Sequence, residues 1–128
     1  MSARVWRLDR DAVLARLTDW AGRLGEDPNV LAVVLFGSLA RGDATAASDA
    51  DVLIMLRESP EDFGERLVRF KPVGLGVSVE VFPYTLEETQ RALSEGWGVV
   101  GVALKEGKVL FGRENELEGL LRTAPRDR

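Results

Sequence analysis

Two uninterrupted apolar runs of strand length, Val30–Phe36 and Val52–Leu56, dominate the middle of the chain. Neither contains a charged residue, and both consist of aliphatic or aromatic side chains. An apolar run of this length without alternation is typical of a strand that is buried on both faces. The runs are joined by small and polar residues that begin at Gly37, and we expect this connection to be exposed. The pattern therefore predicts two central strands of an α/β fold.

Helical periodicity precedes the first strand and follows the second. Asp9 is a plausible N-cap for an amphipathic helix that ends at Gly25, with its apolar residues at helical spacing: Val13, Leu14, Leu17, Trp20, Ala21 and Leu24. After the second strand, Ser59-Pro60-Glu61 predicts another helix start. We expect the buried side of that helix to consist of Phe63, Leu67, Val68 and Phe70.

The C-terminal half begins with a clear alternation. Val77, Val79 and Val81 point one way, while Ser78, Glu80 and Phe82 point the other, which predicts a strand with unlike faces. Thr85 and Glu88 form a capping box for a helix through about Ser94. Propensity leaves helix and strand both open for Trp97–Leu104. A short strand, Lys108–Phe111, and a last helical stretch with Leu117, Leu120 and Leu121 complete the prediction.

Candidate chemistry lies between and beside the central strands. Gly37 and Ser38 lie between the first strand and a short helical turn that ends at Gly42. The free N–H groups at the start of a helix can bind phosphate. Asp49 and Asp51 enter the second strand two residues apart, so their carboxylates lie on the same side and can hold a metal. Taken singly, these residues are ordinary turn or cap residues. Their combination is what indicates a site, because two carboxylates entering an apolar strand are costly to desolvate without a cation.

Composition narrows the chemistry. The 128 residues carry no cysteine and no histidine, which excludes thiol nucleophiles, imidazole bases and zinc sites that depend on these side chains. Oxygen ligands alone favour hard cations, above all Mg²⁺ when phosphates are also present. The formal charge is -4, so we expect no strong binding to nucleic acid or to an anionic membrane. The sequence contains no P-loop motif and no dinucleotide fingerprint opening a helix.

The spacing of Gly37-Ser38 and Asp49-x-Asp51 resembles the signature of the DNA polymerase β-like nucleotidyltransferase superfamily. It is most similar to the minimal nucleotidyltransferases, whose motif begins Gly-Ser-x-Ala-Arg-Gly and ends Ser-Asp-x-Asp. The residues that fit this wording, besides Gly37 and Ser38, are Ala40, Arg41, Gly42, Asp43, Ser48, Asp49 and Asp51. The resemblance implies an α/β (α+β) fold, a mixed β-sheet with helices packed on it. It also favours a helix for Trp97–Leu104, and we expect residues 1–128 to form one domain.

The resemblance implies transfer of a nucleoside monophosphate, AMP from ATP, to a hydroxyl group. Two Mg²⁺ ions held by Asp49, Asp51 and Glu80 would carry the catalysis. Glu80 departs from the family, in which aspartate is commoner at this position. Gly37 and Ser38 would hold the β and γ phosphates. Arg41 is a further candidate for phosphate binding, although an ion pair with Asp43 or with a carboxylate at the end of the sheet is the favoured explanation.

The resemblance also implies a partner, a small helical protein of HEPN type that carries the acceptor hydroxyl. Two alternatives stay open: an antitoxin-like module that neutralises the HEPN partner by contact alone, and nucleotidyl transfer to a small molecule such as an aminoglycoside. A homo-oligomer is also open. The apolar stretch Trp97–Leu104 is expected to be core, and it is also the best interface candidate. Because the N-terminus has no leader-like apolar region, we expect a cytoplasmic protein.

Overall fold

The computed structural model of the chain describes residues 3–42 and 49–113, and its centre is a four-stranded mixed sheet. The strands are β1 (Val30–Phe36), β2 (Ala50–Leu56), β3 (Val79–Thr85) and β4 (Lys108–Gly112), in the order β3-β2-β1-β4. β1 runs antiparallel to both β2 and β4, whereas β2 and β3 are parallel. The predicted mixed sheet is confirmed.

Five helices accompany the described strands, and four of them cover the sheet. They are α1 (Ala3–Leu24), the single turn α2 (Ser38–Arg41), α3 (Phe63–Phe70), α4 (Leu86–Glu95) and α5 (Val100–Glu106). α1 and the end of α3 pack on one face, where Leu17, Val33 and Phe70 share a cluster. α4 and α5 pack on the other face through Ala92, Val100 and Ala103. None of the helices in the described part of the chain is long and apolar enough to cross a membrane.

The sheet distributes its side chains by the strand period of two. In β2, Val52 and Ile54 contribute to the α1 face, while Leu53 and Met55 contribute to the α4–α5 face. Asp51 has the parity of Leu53 and therefore lies on the α4–α5 face, at the beginning of its strand. In β3, Glu80 has the parity of Phe82 and lies on that same face. The predicted alternation is confirmed from Val79 onward, whereas Val77 and Ser78 lie before the strand.

The start of α1 differs from the prediction. The helix begins at Ala3, so Asp9 lies within it and is not its N-cap. The preceding residues, Ala3 to Leu8, contain neither proline nor glycine and have adequate helix propensity, so nothing in them ends the helix at Asp9.

α3 also differs at its start and in its buried side. It begins at Phe63 with Asp62 as N-cap, because Asp62 and Glu65 form a complete capping box, which is a stronger signal than Ser59-Pro60-Glu61. Val68 was predicted to be buried but is 82% exposed. Arg66 is buried instead, since Glu88 and the Pro83 carbonyl satisfy its guanidinium group.

The remaining elements largely follow the prediction. The capping box of Thr85 and Glu88 opens α4, and β4 is present. In the Trp97–Leu104 stretch the helix begins only at Val100, since Gly96 and Gly98 adopt left-handed backbone angles that a helix cannot contain. The predicted helical stretch around Leu117 lies outside the described residues, as do Asp43 and Ser48.

Candidate active site

Two carboxylates face each other across neighbouring strands at one end of the sheet. Asp51 of β2 is in register with Glu80 of β3 on one side and with Phe36, the last residue of β1, on the other. Asp49 lies directly before β2. Asp49 and Glu80 are exposed, while Asp51 is half-buried. The fold therefore brings the three predicted acidic residues to one corner of the molecule.

The electrostatics of this corner are unfavourable for three anions. Burial raises the pKa of the Asp51 carboxyl above its ordinary value, and the negative charges of Glu80 and then Asp49 raise this pKa further. Desolvation and the repulsion of the neighbouring carboxylates therefore both disfavour the ionised form of Asp51. A divalent cation would relieve both effects, so the residues present fit an ion such as Mg²⁺.

The carboxylate of Asp51 lies against the backbone of Gly37. A Cβ atom at position 37 would stand 2.5 Å from Asp51 Oδ2, closer than atoms approach in proteins. Gly37 also has a φ of +80°, in the region that side chains rarely enter. Only glycine allows this approach, and it places the candidate metal ligand beside the candidate phosphate-binding turn.

Backbone hydrogen bonds and one buried side chain hold the turn after Gly37 in place. The N–H groups of Arg41 and Gly42 donate to the carbonyl oxygens of Gly37 and Ser38, at 3.1 and 3.0 Å. The N–H groups of the first three residues of α2, from Ser38 onward, consequently have no acceptor within the turn. Leu39 is fully buried and anchors it. The turn thus presents backbone donors next to Asp51, as phosphate binding requires.

Arg41 lies at the end of this turn and contacts Glu106 at the end of α5, with 2.9 Å between Nη1 and Oε1. The Arg41 side chain is 44% exposed and that of Glu106 35%. An exposed pair of this kind is worth at most about 1 kcal/mol, so an arriving phosphate can compete for the guanidinium group. Phosphate binding by Arg41 stays a prediction.

The three carboxylates do not form a ready-made metal cluster. Within residues 3–42 and 49–113, no group of three acidic, histidine or cysteine residues converges closely enough to hold an ion. Assignment of Asp49, Asp51 and Glu80 as metal ligands stays a prediction that rests on their register and on the charge at Asp51.

Sequence reasoning missed an apolar pocket of about 280 Å³ beside Glu80, between α3 and β3. Its walls include Phe63 and Leu67 from the helix and Phe82 from the strand. The sequence indicated that Phe63 and Leu67 belong to one helix face. It gave no signal that this face stands beside the strand that carries Glu80.

A second cleft of similar volume, about 280 Å³, lies at the opposite end of β2 and β3. Its lining includes Arg66, Glu88 and Arg91, and these charges are paired: Arg66 binds Glu88, and Arg91 binds Glu87. It is far from Asp51 along the strands. We therefore place the candidate site at the Asp51 end.

Comparison with known proteins shows similarity in domain family and in fold. A family model described as a nucleotidyltransferase domain matches residues 20–109. The sequence has no match among curated proteins. Its fold is similar to a candidate nucleotidyltransferase from Sulfolobus solfataricus, with a TM-score of 0.58 and 23% identity over 83% of this chain and 86% of the other.

Two further similar structures are toxin–antitoxin complexes. One contains AMP-PNP and matches with a TM-score of 0.56 and 16% identity, over 86% of this chain and 82% of the other. The second is a mutant of the complex MntA–HpeT, with a TM-score of 0.50 and 15% identity over 89% of this chain and 82% of the other. At such identities the likeness shows a shared fold.

Proposed function

The chain belongs to the nucleotidyltransferase domain family, and we propose that it transfers AMP from ATP to a hydroxyl group of a second protein chain. One observation carries the proposal: the Asp51 carboxylate lies against the backbone of Gly37 and in register with Glu80. A candidate phosphate-binding turn, a half-buried acid and an exposed acid from the neighbouring strand are thereby side by side. Hydrolysis of a small neutral substrate would not need this arrangement.

The proposed reaction is a displacement at the α-phosphorus of ATP. The acceptor hydroxyl loses its proton to water as its oxygen bonds to that phosphorus, the bond to the bridging oxygen breaks, and pyrophosphate leaves with the electron pair. Asp49, Asp51 and Glu80 would hold two Mg²⁺ ions, which stabilise the charge on the attacking and leaving oxygens. Gly37 and Ser38 would hold the β and γ phosphates, with Arg41 as a further phosphate contact.

The proposed partner is a HEPN-type protein that supplies the hydroxyl. The resemblance to minimal nucleotidyltransferases supports this choice, and two of the similar structures are toxin–antitoxin complexes. ATP as donor is supported by the AMP-PNP in one of those complexes. A cytoplasmic location, where ATP and Mg²⁺ are both available, is part of the proposal.

Calorimetric titration with ATP, with and without Mg²⁺, tests the proposal. We expect the wild-type chain to bind ATP only with Mg²⁺, and Asp51→Asn to abolish that binding. The variant should melt at the same or a slightly higher temperature, because the substitution removes a partly buried anion that its neighbours repel. Asp19→Asn is the matched control, since Asp19 is an exposed residue of α1 that pairs only with Arg23 in the described contacts. Unchanged Mg²⁺-dependent affinity in Asp51→Asn would contradict the metal site.

A further inference from the structure

Arg10 lies on the side of α1 that faces the sheet. Its spacing from Val13 and Leu17 puts the three residues on one face of the helix, and both apolar residues are buried in the core. The Arg10 side chain is half-buried and extends to α2, where its Nη2 atom donates to the Leu39 carbonyl oxygen at 3.0 Å. A Cβ atom at Gly42 would stand 3.8 Å from the same Nη2 atom. A guanidinium group therefore lies against the candidate phosphate-binding turn.

One donor of this guanidinium group has no acceptor. Arg10 Nε is buried, and no described residue accepts a hydrogen bond from it. A buried N–H group without a partner destabilises a folded protein. An apolar side chain of similar length would fill the same helix face without this unsatisfied donor. Packing and stability therefore do not account for an arginine here, whereas its contact with the turn does.

The three N–H groups at the start of α2 that have no acceptor within the turn belong to three peptide units. A planar trans peptide unit points its C=O and its N–H in opposite directions, so a partner on the carbonyl fixes the direction of the N–H. The Gly37 carbonyl, whose unit carries the Ser38 N–H, accepts from the Arg41 N–H. The Ser38 carbonyl, whose unit carries the Leu39 N–H, accepts from the Gly42 N–H. Backbone hydrogen bonds thus fix two of the three donors.

The third donor is the Ala40 N–H, and Arg10 holds its peptide unit. This unit begins with the Leu39 carbonyl, which is the acceptor of Arg10 Nη2. Because α2 ends at Gly42, which is left-handed, the Leu39 carbonyl has no partner within the helix. A cation at the carbonyl end of a helical turn is favourable, and a hydrogen bond to a carbonyl strengthens the N–H of the same unit as a donor. Arg10 thus completes a set of three oriented donors.

We propose that Arg10 is a positioning residue for the triphosphate: it orients and polarises the peptide unit between Leu39 and Ala40, so that the Ala40 N–H donates to a phosphate oxygen. The inference rests on the proposed function and deepens it. Arg10 acts through the turn and does not touch the nucleotide. Its charge is also opposite in sign to that of the phosphates across the turn, which favours the bound state.

Amide NMR of the isotope-labelled chain tests this orientation residue by residue. In the wild type, we expect saturating Mg-ATP to shift the amide resonances of Ser38, Leu39 and Ala40. In Arg10→Met, we expect the Ala40 shift to be lost and the other two to remain, since backbone hydrogen bonds hold their peptide units. A merely structural role of Arg10 would change all three shifts together.

Mg-ATP affinity, measured by calorimetry, forms the second arm. Arg10→Met should raise the Kd by about 10-fold or more, the effect of one lost hydrogen bond to a charged group, although thermal melts show a folded variant. Arg10→Lys, which keeps the charge and a donor, should restore the Kd to within about threefold of the wild type. Arg16→Met is the matched control, because it removes the same charge from the same helix and a contact with the Leu75 carbonyl, at 3.4 Å, outside the turn. It should leave the Kd and all three amide shifts unchanged.

The outcomes separate the two proposals. Retention of the Ala40 shift in folded Arg10→Met, or loss of all three shifts, overturns the role of Arg10. Should Arg10→Met fail to fold, Arg10→Gln takes its place with the same expectations. If Mg-ATP shifts none of the three resonances in the wild type, the proposed function fails. The unliganded spectra then still test Arg10, because its substitution should displace the Ala40 resonance more than those of Ser38 and Leu39, and equal displacement overturns the inference.

Discussion

Gly37 is subject to two separate constraints at the residue scale. Its φ of +80° strains any side chain, and a Cβ there would meet Asp51 Oδ2. The second constraint links the turn to the acidic residue, because whatever occupies position 37 decides where the Asp51 carboxylate can lie. Gly74 shares the first constraint, with a φ of +75°, but has nothing within 4 Å of its Cβ position. A substitution at Gly74 therefore tests the effect of a positive φ without a contact at Cβ.

We therefore predict that Gly37→Ala costs more stability than Gly74→Ala. Gly37→Ala places a side chain at φ +80° and ψ -161°, a region that is essentially restricted to glycine, at a cost of about 1 to 3 kcal/mol. Gly74→Ala also places a side chain at positive φ. Gly37→Ala must in addition displace the Asp51 carboxylate, so it should also reduce Mg²⁺-dependent ATP binding, whereas Gly74→Ala should not. Urea unfolding and calorimetry measure the two effects. Equal losses of stability with unchanged ATP binding in both variants would show that the contact with Asp51 is unimportant.

Some single residues of the site could be read from the sequence and others could not. The exposure of Glu80 between buried Val79 and Val81 follows from the alternation after Gly76. The register that sets Glu80 beside Asp51 does not, because it depends on the parallel pairing of β2 with β3. The partner of Arg41 does not, because Glu106 is 65 residues away and only the packing of α5 brings it close. The pairing of Gly37 with Asp51 likewise depends on the antiparallel register of β1 and β2.

At the scale of elements, Arg66 and Glu88 join α3, β3 and α4. Arg66 is 4% exposed, and its Nη1 and Nη2 atoms donate to the two carboxylate oxygens of Glu88 at 2.7 and 3.0 Å. Arg66 Nη1 also donates to the Pro83 carbonyl at 2.7 Å. Glu88 at the same time caps α4 by accepting from the Thr85 N–H. The pair therefore fixes the helix that forms the pocket wall against the strand that carries Glu80.

The pair makes a prediction about pH. The hydrogen bond from Arg66 lowers the pKa of Glu88 from its ordinary value of 4.5 to about 2. The Glu88 carboxylate is therefore protonated near pH 4.5 in the unfolded chain but only at about pH 2 in the folded chain. The contribution of the ion pair to the free energy of unfolding is complete above pH 4.5 and is lost as the pH falls towards 2. We expect Glu88→Gln to cost about 3 kcal/mol at pH 7, and this cost to shrink across that window.

Urea unfolding at a series of pH values tests this, with Glu87→Gln as control. Glu87 is the adjacent residue and forms only an exposed pair with Arg91 among the described contacts, so its loss should cost under about 1 kcal/mol. A pH-independent difference between wild type and Glu88→Gln would show that the carboxylate charge is not what Arg66 recognises.

A helix or strand can be predicted well when the residues that determine it are close together in the sequence. The capping box of Thr85 and Glu88 lies within four residues and was read correctly. α3 offered two competing start signals, and the sequence does not say which one wins. Val68 was expected to be buried because it is apolar. Arg66 is buried instead because partners on β3 and α4, 17 and 22 residues away, satisfy its charge.

At the scale of the whole molecule, the α4–α5 face has apolar residues that are not buried in the core. Val100 and Ala103 of the Trp97–Leu104 stretch are buried, which confirms part of it as core. Trp97 and Val102, however, are 39% and 49% exposed. Trp97 is held by a hydrogen bond from its ring N–H to Glu95 and by an edge contact with Tyr84. An ordered, exposed aromatic residue is typical of an interface anchor.

We predict that Trp97→Ala weakens association with the HEPN-type partner by more than about 1 kcal/mol and leaves Mg-ATP affinity unchanged. Because Trp97 is partly exposed, the loss of stability should be smaller than the roughly 3 to 5 kcal/mol of a buried aromatic residue. Pull-downs beside thermal melts measure both quantities. Val73→Ala is the control, since Val73 is 90% exposed and distant in sequence. A large fall in melting temperature with unaltered partner affinity would assign Trp97 to the core.

The overall architecture was predictable in outline because the two central strands are uniformly apolar and the helices are amphipathic. The mixed sheet itself came from the family resemblance, since strand order and direction are not encoded in local pattern. The apolar pocket could not be foreseen from sequence for the same reason. It lies where α3 packs beside β3.

Intact-mass measurement of the partner tests the central claim most directly. The purified chain is incubated with ATP, Mg²⁺ and the proposed HEPN-type partner, and the mass of the partner is then measured. We predict that the partner gains the mass of one or more AMP groups, that omission of Mg²⁺ prevents the gain, and that Asp49→Asn and Asp51→Asn each prevent it although the complex still forms. A partner of unchanged mass in a stable complex with the wild-type chain, or equal modification by the Asp51→Asn variant, would contradict transfer through these carboxylates.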